Sequence, residues 1–361
     1  MRIAVVGAGI IGLATTYELL GGDDEVRCYE VATPLGARSS GDTRIFRLAH
    51  SDPALVEHAM RAKAGWDRWE AVAGATLVGD EGTVVSGPSA EQWSRAMEAA
   101  GAPFELVEDG PLRDRLPAPS PVGPFLHDPA GGVIRARSAG GFLHDRVGST
   151  LARARVHAIE ASGRGARVLS ADGPWDCDSV VIAAGEGTPA LAATAGLDLP
   201  GELAHHARFT FPMRAPGPSP PCWLDRSEAW RVGFTTYSHP VGRDGHWTIG
   251  GSLDARDTRW DLGAETVTER SRAVVTAYVR EHLDGIEPRV VAVLPCNHRA
   301  GGESGDGFGA VRNGTVLDLW GDNLYKIAPL LGGLLAEAAR TLSVREPLTR
   351  PVPRVAGGEP S

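Results

Sequence analysis

The strongest chemical signal lies near the N-terminus, in Gly7-Ala8-Gly9-Ile10-Ile11-Gly12. In this G-x-G-x-x-G spacing the first glycine allows a tight turn. The second lets the backbone approach a pyrophosphate, and the third lets a helix pack closely on a strand. The anion then sits at a helix N-terminus, where free N–H groups and the helix dipole favour it. The flanks agree. Residues 3–7 form an apolar run ending in glycine, which reads as a buried parallel strand, and residues 10–20 show helical periodicity. Glu25-Val26-Arg27-Cys28-Tyr29 reads as a second strand, and Glu30 at its end can accept hydrogen bonds from ribose hydroxyls. The spacing predicts a dinucleotide-binding βαβ unit. Glu30 does not separate FAD from NAD, because each carries an adenosine ribose.

Other residue types point to further chemistry. Ser39-Ser40-Gly41-Asp42-Thr43-Arg44-Ile45-Phe46-Arg47 places two arginines three residues apart after a polar loop. A late apolar run, Val180-Val181-Ile182-Ala183-Ala184-Gly185, ends in small residues, as a backbone approaching a ligand does. Positive charge comes almost wholly from arginine, since Lys63 and Lys326 are the only lysines. Lys326 stands in the apolar setting Asn323-Leu324-Tyr325-Lys326-Ile327-Ala328-Pro329, an unusual place for a casual charge. Cys28, Cys177, Cys222 and Cys296 lie far apart without metal-ligand spacing, and no His/Asp/Glu cluster has it either, so no metal site is expected. Cys28 and Cys177 read as core and Cys222 as a loop residue. Ser39-Ser40 lacks a G-x-S-x-G context. Trp66-Asp67-Arg68-Trp69 suits an amphipathic core helix better than a base-stacking surface.

The elements that must position these residues alternate strand and helix. Helices are expected over Pro53–Ala73, stopped by Gly74, over 90–100 with Ser89 as cap and Gly101 as stop, over 139–152, over 264–282 and from Pro329 to Leu342. Strand-like contexts surround Val84, Phe104 and Phe125. A hairpin is expected over Ala154–Ala161 and Gly165–Leu169, with strands at Ser179–Ala184, 208–213, 231–237, 246–250, 289–294 and Val316–Trp320. A Pro-rich loop covers 215–221. The formal net charge of −9 disfavours a nucleic-acid or anionic-membrane surface. Residues 1–6 read as a strand rather than a secretory signal, and no apolar stretch is long enough to span a bilayer, so a cytoplasmic protein is expected.

On the glycine fingerprint, the Gly41-Asp42-Thr43-Arg44-x-x-Arg47 segment and the section from Cys296 to Lys326, the sequence resembles the D-amino-acid oxidase superfamily of FAD-dependent amine oxidases. Within it the chain looks like the monomeric sarcosine oxidase and N-methyltryptophan oxidase branch, including relatives that oxidise cyclic imino acids in antibiotic biosynthesis. The resemblance implies an α/β protein: a Rossmann-like FAD-binding domain with a second α+β substrate domain built on an antiparallel sheet. It divides the chain into an FAD-binding domain over 1–82, 138–200 and 300–350, a substrate domain over 83–137 and 201–299, and a flexible tail over 351–361. FAD contacts are implied for Gly7, Gly9, Ile10, Ile11, Gly12, Glu30, Ser39, Ser40, Asp42, Thr43, Arg44, Gly185, Asn323, Leu324, Tyr325 and Lys326. A covalent bond from Cys296 to the flavin is implied as well.

By the same resemblance Arg47 and Lys326 hold the carboxylate of an amino-acid substrate, and Arg44 lies nearer the flavin ring. His50 and His298 are candidate pocket residues, with Val232 and Ser252 as wall positions and Trp230, Tyr237 and Trp247 nearby. His205-His206 reads as a loop or strand-edge feature. Where sarcosine oxidase has a lysine that promotes reaction with oxygen, this chain has Thr248, with Arg243 or His246 as conceivable substitutes. The expected reaction is oxidation of an N-methyl or cyclic imino acid, or another amine, to an imine, with oxygen or another electron acceptor. A monomer without nucleic-acid or membrane partners is expected. A dehydrogenase of similar fold, an NAD-dependent reductase and an inactive flavin-binding protein are the rival readings.

Overall fold

The computed structural model describes residues 1–199, 202–214, 220–242, 245–300, 306–345 and 348. Arg243, most of the Pro-rich 215–221 loop and the 351–361 tail lie outside the described residues. Two compact units emerge: the described residues of Met1–Ser40, Ser138–Leu203 and 298 onward form one, and Gly41–Arg137 with Ala204–Asn297 form the other.

The first unit is built on a six-stranded sheet. From one edge its strands run Gly307–Asn313, Val316–Asp322, Ser179–Ile182, Arg2–Val6, Glu25–Tyr29 and Leu151–Ala152. All these pairings are parallel except the first. Ile3, Ala4, Val5, Val180, Val181 and Ile182 are fully buried, so the central strands read as continuous apolar runs. The Ile10–Leu19 helix packs against the C-terminal helix Ala328–Thr341. Gly332 makes that approach possible, since a Cβ there would lie 2.8 Å from the Ala14 backbone. A three-stranded antiparallel sheet, Val156–Ser162, Gly165–Ser170 and Gly173–Cys177, extends the expected hairpin by one strand.

The second unit holds an eight-stranded sheet. Its order is Ala292–Ala300, Glu202–Pro212, His246–Gly251, Thr236–Val241, Cys222–Asp225, Thr83–Ser86, Phe125–Asp128, Glu105–Val107. From Glu202–Pro212 to Glu105–Val107 the strands pair antiparallel, except Cys222–Asp225 with Thr83–Ser86, which is parallel. Side chains alternate across the strands. One face sends Phe209, Phe211, Trp223, Trp247 and Ile249 into a core with Val275, Tyr278 and Val279 of the Ala264–His282 helix. The other face carries His206, Arg208, Thr210, Tyr237, His239 and Thr248.

Several expectations need correction. Residues 41–82 pack with the second unit, because Thr43–Phe46 pairs with Gly132–Arg135 and the Pro53–Ala73 helix packs on Ser89–Ala99. Ser89 is the first helical residue rather than the cap; Pro88 precedes it and no side chain caps the helix. The helix read over 139–152 runs Ala136–Val147, and Leu151–Ala152 becomes an edge strand, with the Glu30 N–H donating to the Ala152 carbonyl at 2.9 Å. The strand read over 231–237 begins only at Thr236, since Glu228 and Gly233 take positive φ and turn the chain first. Cys222 is not a loop residue: it is fully buried in a strand. Cys296 lies within the Ala292–Ala300 strand rather than after one.

Candidate functional site: a nucleotide cradle and an arginine-lined sheet face

In the first unit the glycine turn fits backbone and little else. Gly7 has φ +106°, its N–H donates to the Tyr29 carbonyl at 2.8 Å, and a Cβ there would lie 2.4 Å from the Ala183 oxygen. At Gly12 a Cβ would lie 1.8 Å from the Gly7 oxygen, so helix and turn touch. At Gly9 it would lie 3.1 Å from Ser39 Oγ, which accepts the Ile10 N–H at 2.9 Å. Glu30 braces the turn, its two carboxylate oxygens accepting the Ala8 and Ala32 N–H groups at 2.9 Å each. Gly185, with φ +61°, has open space where a side chain would stand. Bare glycines, open ground at the strand end and an acidic residue at the end of the second strand form a cradle that a dinucleotide such as FAD fits. The same donor set leaves Ile11 and Gly12 buried in the helix, their side-chain positions spent on packing.

The C-terminal part of the same unit places Asn323 in the left-handed region at φ 52°, followed by a single 3-10 turn over Leu324–Ile327. Tyr325 and Lys326 are buried there. The Lys326 ammonium donates to Asp306 Oδ1, with side chains 8% and 4% exposed, and the Asn323 amide donates to the same oxygen at 3.2 Å. Lys326, expected to meet a substrate carboxylate, is thus held by a carboxylate of its own chain. Nearby in sequence, Asp322 accepts from Arg38 at 2.5 Å.

In the second unit Asp42 pairs with Arg137, its Oδ1 accepting from Arg137 Nε at 2.7 Å. The Thr43 carbonyl accepts from Arg44 at 2.7 Å and from Arg208 at 3.4 Å, so two guanidiniums converge on one oxygen. Gly41 leaves them room: a Cβ there would lie 3.4 Å from Arg44 Nη1 and 3.9 Å from Arg208 Nη2. Arg47 is buried, donates to the Ala49 carbonyl and stacks over Trp93 at 5.0 Å. His50 is buried as well, its Nδ1 2.9 Å from the Leu48 carbonyl oxygen, as in a packed histidine.

Electrostatics tie the polar sheet face together. Burial pushes the Tyr237 hydroxyl up; the Arg208 and Arg44 charges work against that rise and the Cys296 thiol adds to it. Burial, reinforced by Arg208 and Arg44 and opposed by the Pro240 carbonyl, brings His239 down to about 3. The Thr248 and Thr210 hydroxyls share a hydrogen bond at 2.6 Å, a neutral pair at this point of the sheet. His246 is half-buried in its strand.

The structure therefore brings Arg44 and Cys296 into the surroundings of Tyr237, and gathers Gly7, Gly9, Glu30 and Ser39 into the cradle. Cys296 and His298 stand two apart on one strand and share a side of it. Val232, expected as a wall position, is 89% exposed; of the tryptophans expected nearby, Trp247 is fully buried in the opposite core and Trp230 joins that core's edge while donating to Glu281 at 2.8 Å. Ser252 serves a turn, accepting the Thr235 N–H at 2.8 Å. Sequence reasoning passed over Arg208 and Asp306. The alternation His206-x-Arg208-x-Thr210 between Ala207, Phe209 and Phe211 is the signal that marks Arg208 as facing away from the core.

Among the described residues no group of His, Cys, Asp and Glu could hold a metal ion, and no helix is long and apolar enough to cross a membrane. A family model described as DAO, FAD dependent oxidoreductase, matches residues 2–338. Monomeric sarcosine oxidase of Bacillus sp. (strain B-0618) is 25% identical over 212 residues, 55% of this chain and 54% of its own. N-methyl-L-tryptophan oxidase of Yersinia pestis (strain Pestoides F) is 26% identical over 205 residues, 53% of this chain and 55% of its own. The chain thus matches about half the length of these relatives. The open form of NikD, described as an unusual amino acid oxidase essential for nikkomycin biosynthesis, superposes with a TM-score of 0.82. That match covers 95% of this chain and 94% of the other at 18% identity, a likeness of fold.

Proposed function

This chain belongs to the DAO family of FAD-dependent oxidoreductases, and from that premise we propose that it oxidises the C–N bond of an amine bearing a carboxylate to an imine. N-methyl and cyclic imino acids are the favoured substrates, and a biosynthetic role is the favoured setting. The observation that carries the reading is the convergence of Arg44 and Arg208 on the Thr43 carbonyl, beside Tyr237 and Cys296. Two guanidiniums gathered at one carbonyl concentrate positive charge there, and guanidinium binds a carboxylate bidentately.

FAD, when bound, supplies the two-electron acceptor. The chain's own residues do the rest. The cradle of Gly7, Gly9, Gly12 and Glu30 holds the dinucleotide, and the Ser39–Arg44 segment continues from it. Arg44 and Arg208 orient the carboxylate. Arg47, on the same unit, serves it by giving up its bond to the Ala49 carbonyl. Cys296 provides a thiol for covalent attachment to the cofactor. Thr248, bonded to Thr210 and carrying no charge, favours an acceptor other than oxygen.

A panel of N-methyl and cyclic amino acids, scored by bleaching of the purified yellow protein without oxygen, tests the reaction. Loss of colour with a carboxylate-bearing amine but not with its methyl ester supports it; no bleaching by any amine leaves a flavin-binding protein. Turnover in air compared with turnover on an artificial dye separates oxidase from dehydrogenase. Acid precipitation tests the linkage: colour must stay in the wild-type pellet and leave it in Cys296→Ser.

A further inference from the structure

Tyr237 and His206 form a hydrogen-bonded pair on the polar face of the second unit's sheet, the hydroxyl 2.5 Å from Nε2. The pair joins strands that are not neighbours, since His246–Gly251 runs between Thr236–Val241 and Glu202–Pro212. The register sets Tyr237, Gly250 and Arg208 in one row across the three strands. A Cβ at Gly250 would lie 2.3 Å from Tyr237 Cζ and 2.4 Å from its oxygen. The tyrosine ring therefore lies flat over the middle strand, and only glycine beneath it allows the crossing. Three strands cooperate to bring one phenol to one imidazole.

Chemistry gives this contact a purpose. An aliphatic ammonium titrates at ~10, so an amino-acid substrate arrives at neutral pH protonated. A protonated nitrogen has no lone pair with which to expel a hydride equivalent from the neighbouring carbon, and one proton must leave first. His239 shares the sheet face but is unsuited, being fully buried with its Nδ1 3.0 Å from the Pro240 oxygen. Tyr237 and His206 are both only partly buried. Besides His206, bonded to its hydroxyl, and His239 on the same sheet face, Arg208, Arg44 and Cys296 act electrostatically on the tyrosine. Because burial holds the hydroxyl above its ordinary range, the tyrosine is a phenol rather than a phenolate at neutral pH. Its proton can go to His206 while its oxygen accepts another.

We propose that Tyr237 and His206 are the relay that deprotonates the bound substrate. The ammonium N–H gives its proton to the Tyr237 oxygen as the Tyr237 proton passes to His206 Nε2. The products are a neutral amine, a neutral phenol and an imidazolium; nothing is oxidised, and one positive charge moves from substrate to protein. Arg44 and Arg208 oppose a new positive charge nearby until a carboxylate neutralises them. The relay is therefore matched to amines that carry a carboxylate. This inference rests on the amine-oxidising reading above.

The test is the pH dependence of anaerobic flavin bleaching by the best amine of the panel, in the FAD-loaded protein. For wild type, the second-order rate should fall on the acid side as His206 takes up a proton and can no longer accept one. In His206→Asn and in Tyr237→Phe that limb should move toward the amine's own range, with a loss of ~10²-fold or more at pH 7 that closes above pH ~10. Gly250→Ala keeps both polar groups but displaces the ring, and should show the same altered limb. Melting temperature and the flavin spectrum report folding for each variant. A second measurement reads the proton directly: the protons released to buffer on binding should rise in His206→Asn, where imidazole no longer takes them. A wild-type limb that persists in His206→Asn and Tyr237→Phe overturns the relay while leaving amine oxidation intact. A wild type that no amine bleaches removes the oxidation reading, and the relay with it.

Discussion

Replacing Asp306 with alanine strips the carboxylate from an ion pair whose side chains are only 4% and 8% exposed. Lys326 then keeps its charge in a place that water barely reaches, and the Asn323 amide loses its acceptor at 3.2 Å. One-sided breakage of a buried pair costs ~3–5 kcal/mol, and the lost amide bond adds about 1 kcal/mol. The double variant Asp306→Leu/Lys326→Met replaces both charges with apolar groups. It should return to within about 2 kcal/mol of wild type, because the desolvation cost of both ions disappears. Urea unfolding at fixed excess FAD, read as a double-mutant cycle with Asp306→Leu and Lys326→Met as its single variants, measures the coupling; the excess matters because bound ligand adds stability by mass action. Additive single and double effects, or an Asp306→Ala variant within about 1 kcal/mol of wild type, would refute a tightly coupled buried pair.

Gly12→Ala should lose FAD, because relieving a 1.8 Å clash with the Gly7 oxygen opens the turn; overpacking of this kind costs ~1–3 kcal/mol. The ratio of flavin to protein absorbance checks it, and Gly141→Ala, where an added Cβ meets nothing, should keep full loading. Asp24 sits below the ordinary carboxylate range: burial works to raise it, but hydrogen bonds from Arg340 and the N-terminal ammonium prevail. A depressed folded-state value stabilises the protein above the unfolded carboxyl's range, and that stability is lost as pH falls through the folded-state value. Asp24→Asn should therefore cost about 1 kcal/mol at pH 7 and progressively less in acid, as thermal melts at several pH values will show. Tyr237→Phe also separates stability from chemistry: its melting temperature should stay close to wild type while bleaching at pH 7 slows, since its ring packing over Gly250 survives.

Local signals made much of this fold legible. The Pro53–Ala73 helix has Asp52 accepting the Ala54 N–H at its start and Gly74 at φ 64° at its end, so both boundaries are written in neighbouring residues. The Ala264–His282 helix and the glycine turn are equally local. Strands whose identity depends on distant partners were not legible. Cys222–Asp225 follows prolines and looks like loop, yet it becomes a buried strand by pairing with Thr83–Ser86. Gly307–Asn313 is short of periodicity and is fixed only by its antiparallel pairing with Val316–Asp322. The same limit applies to the site. Glu30 and Gly12 announce themselves by spacing, whereas the Tyr237–His206 contact exists only through a register across three strands and a glycine in the middle one. Asp306 carries no motif at all; its meaning comes from Lys326, twenty residues away.

The strand order of the first unit also sets a timetable. Arg2–Val6 leaves the ribosome well before its neighbour Ser179–Ile182, and Val316–Asp322 closes that flank later still. Until then an apolar strand with an unpaired edge waits in the nascent chain. Such edges are where misfolding and aggregation begin, and non-local pairing of this kind slows folding. The nucleotide-binding turn is therefore translated well before the strands that complete its sheet, and any arrest of translation before Val316 yields a chain in which Ser179–Ile182 has one edge with nothing to lie against.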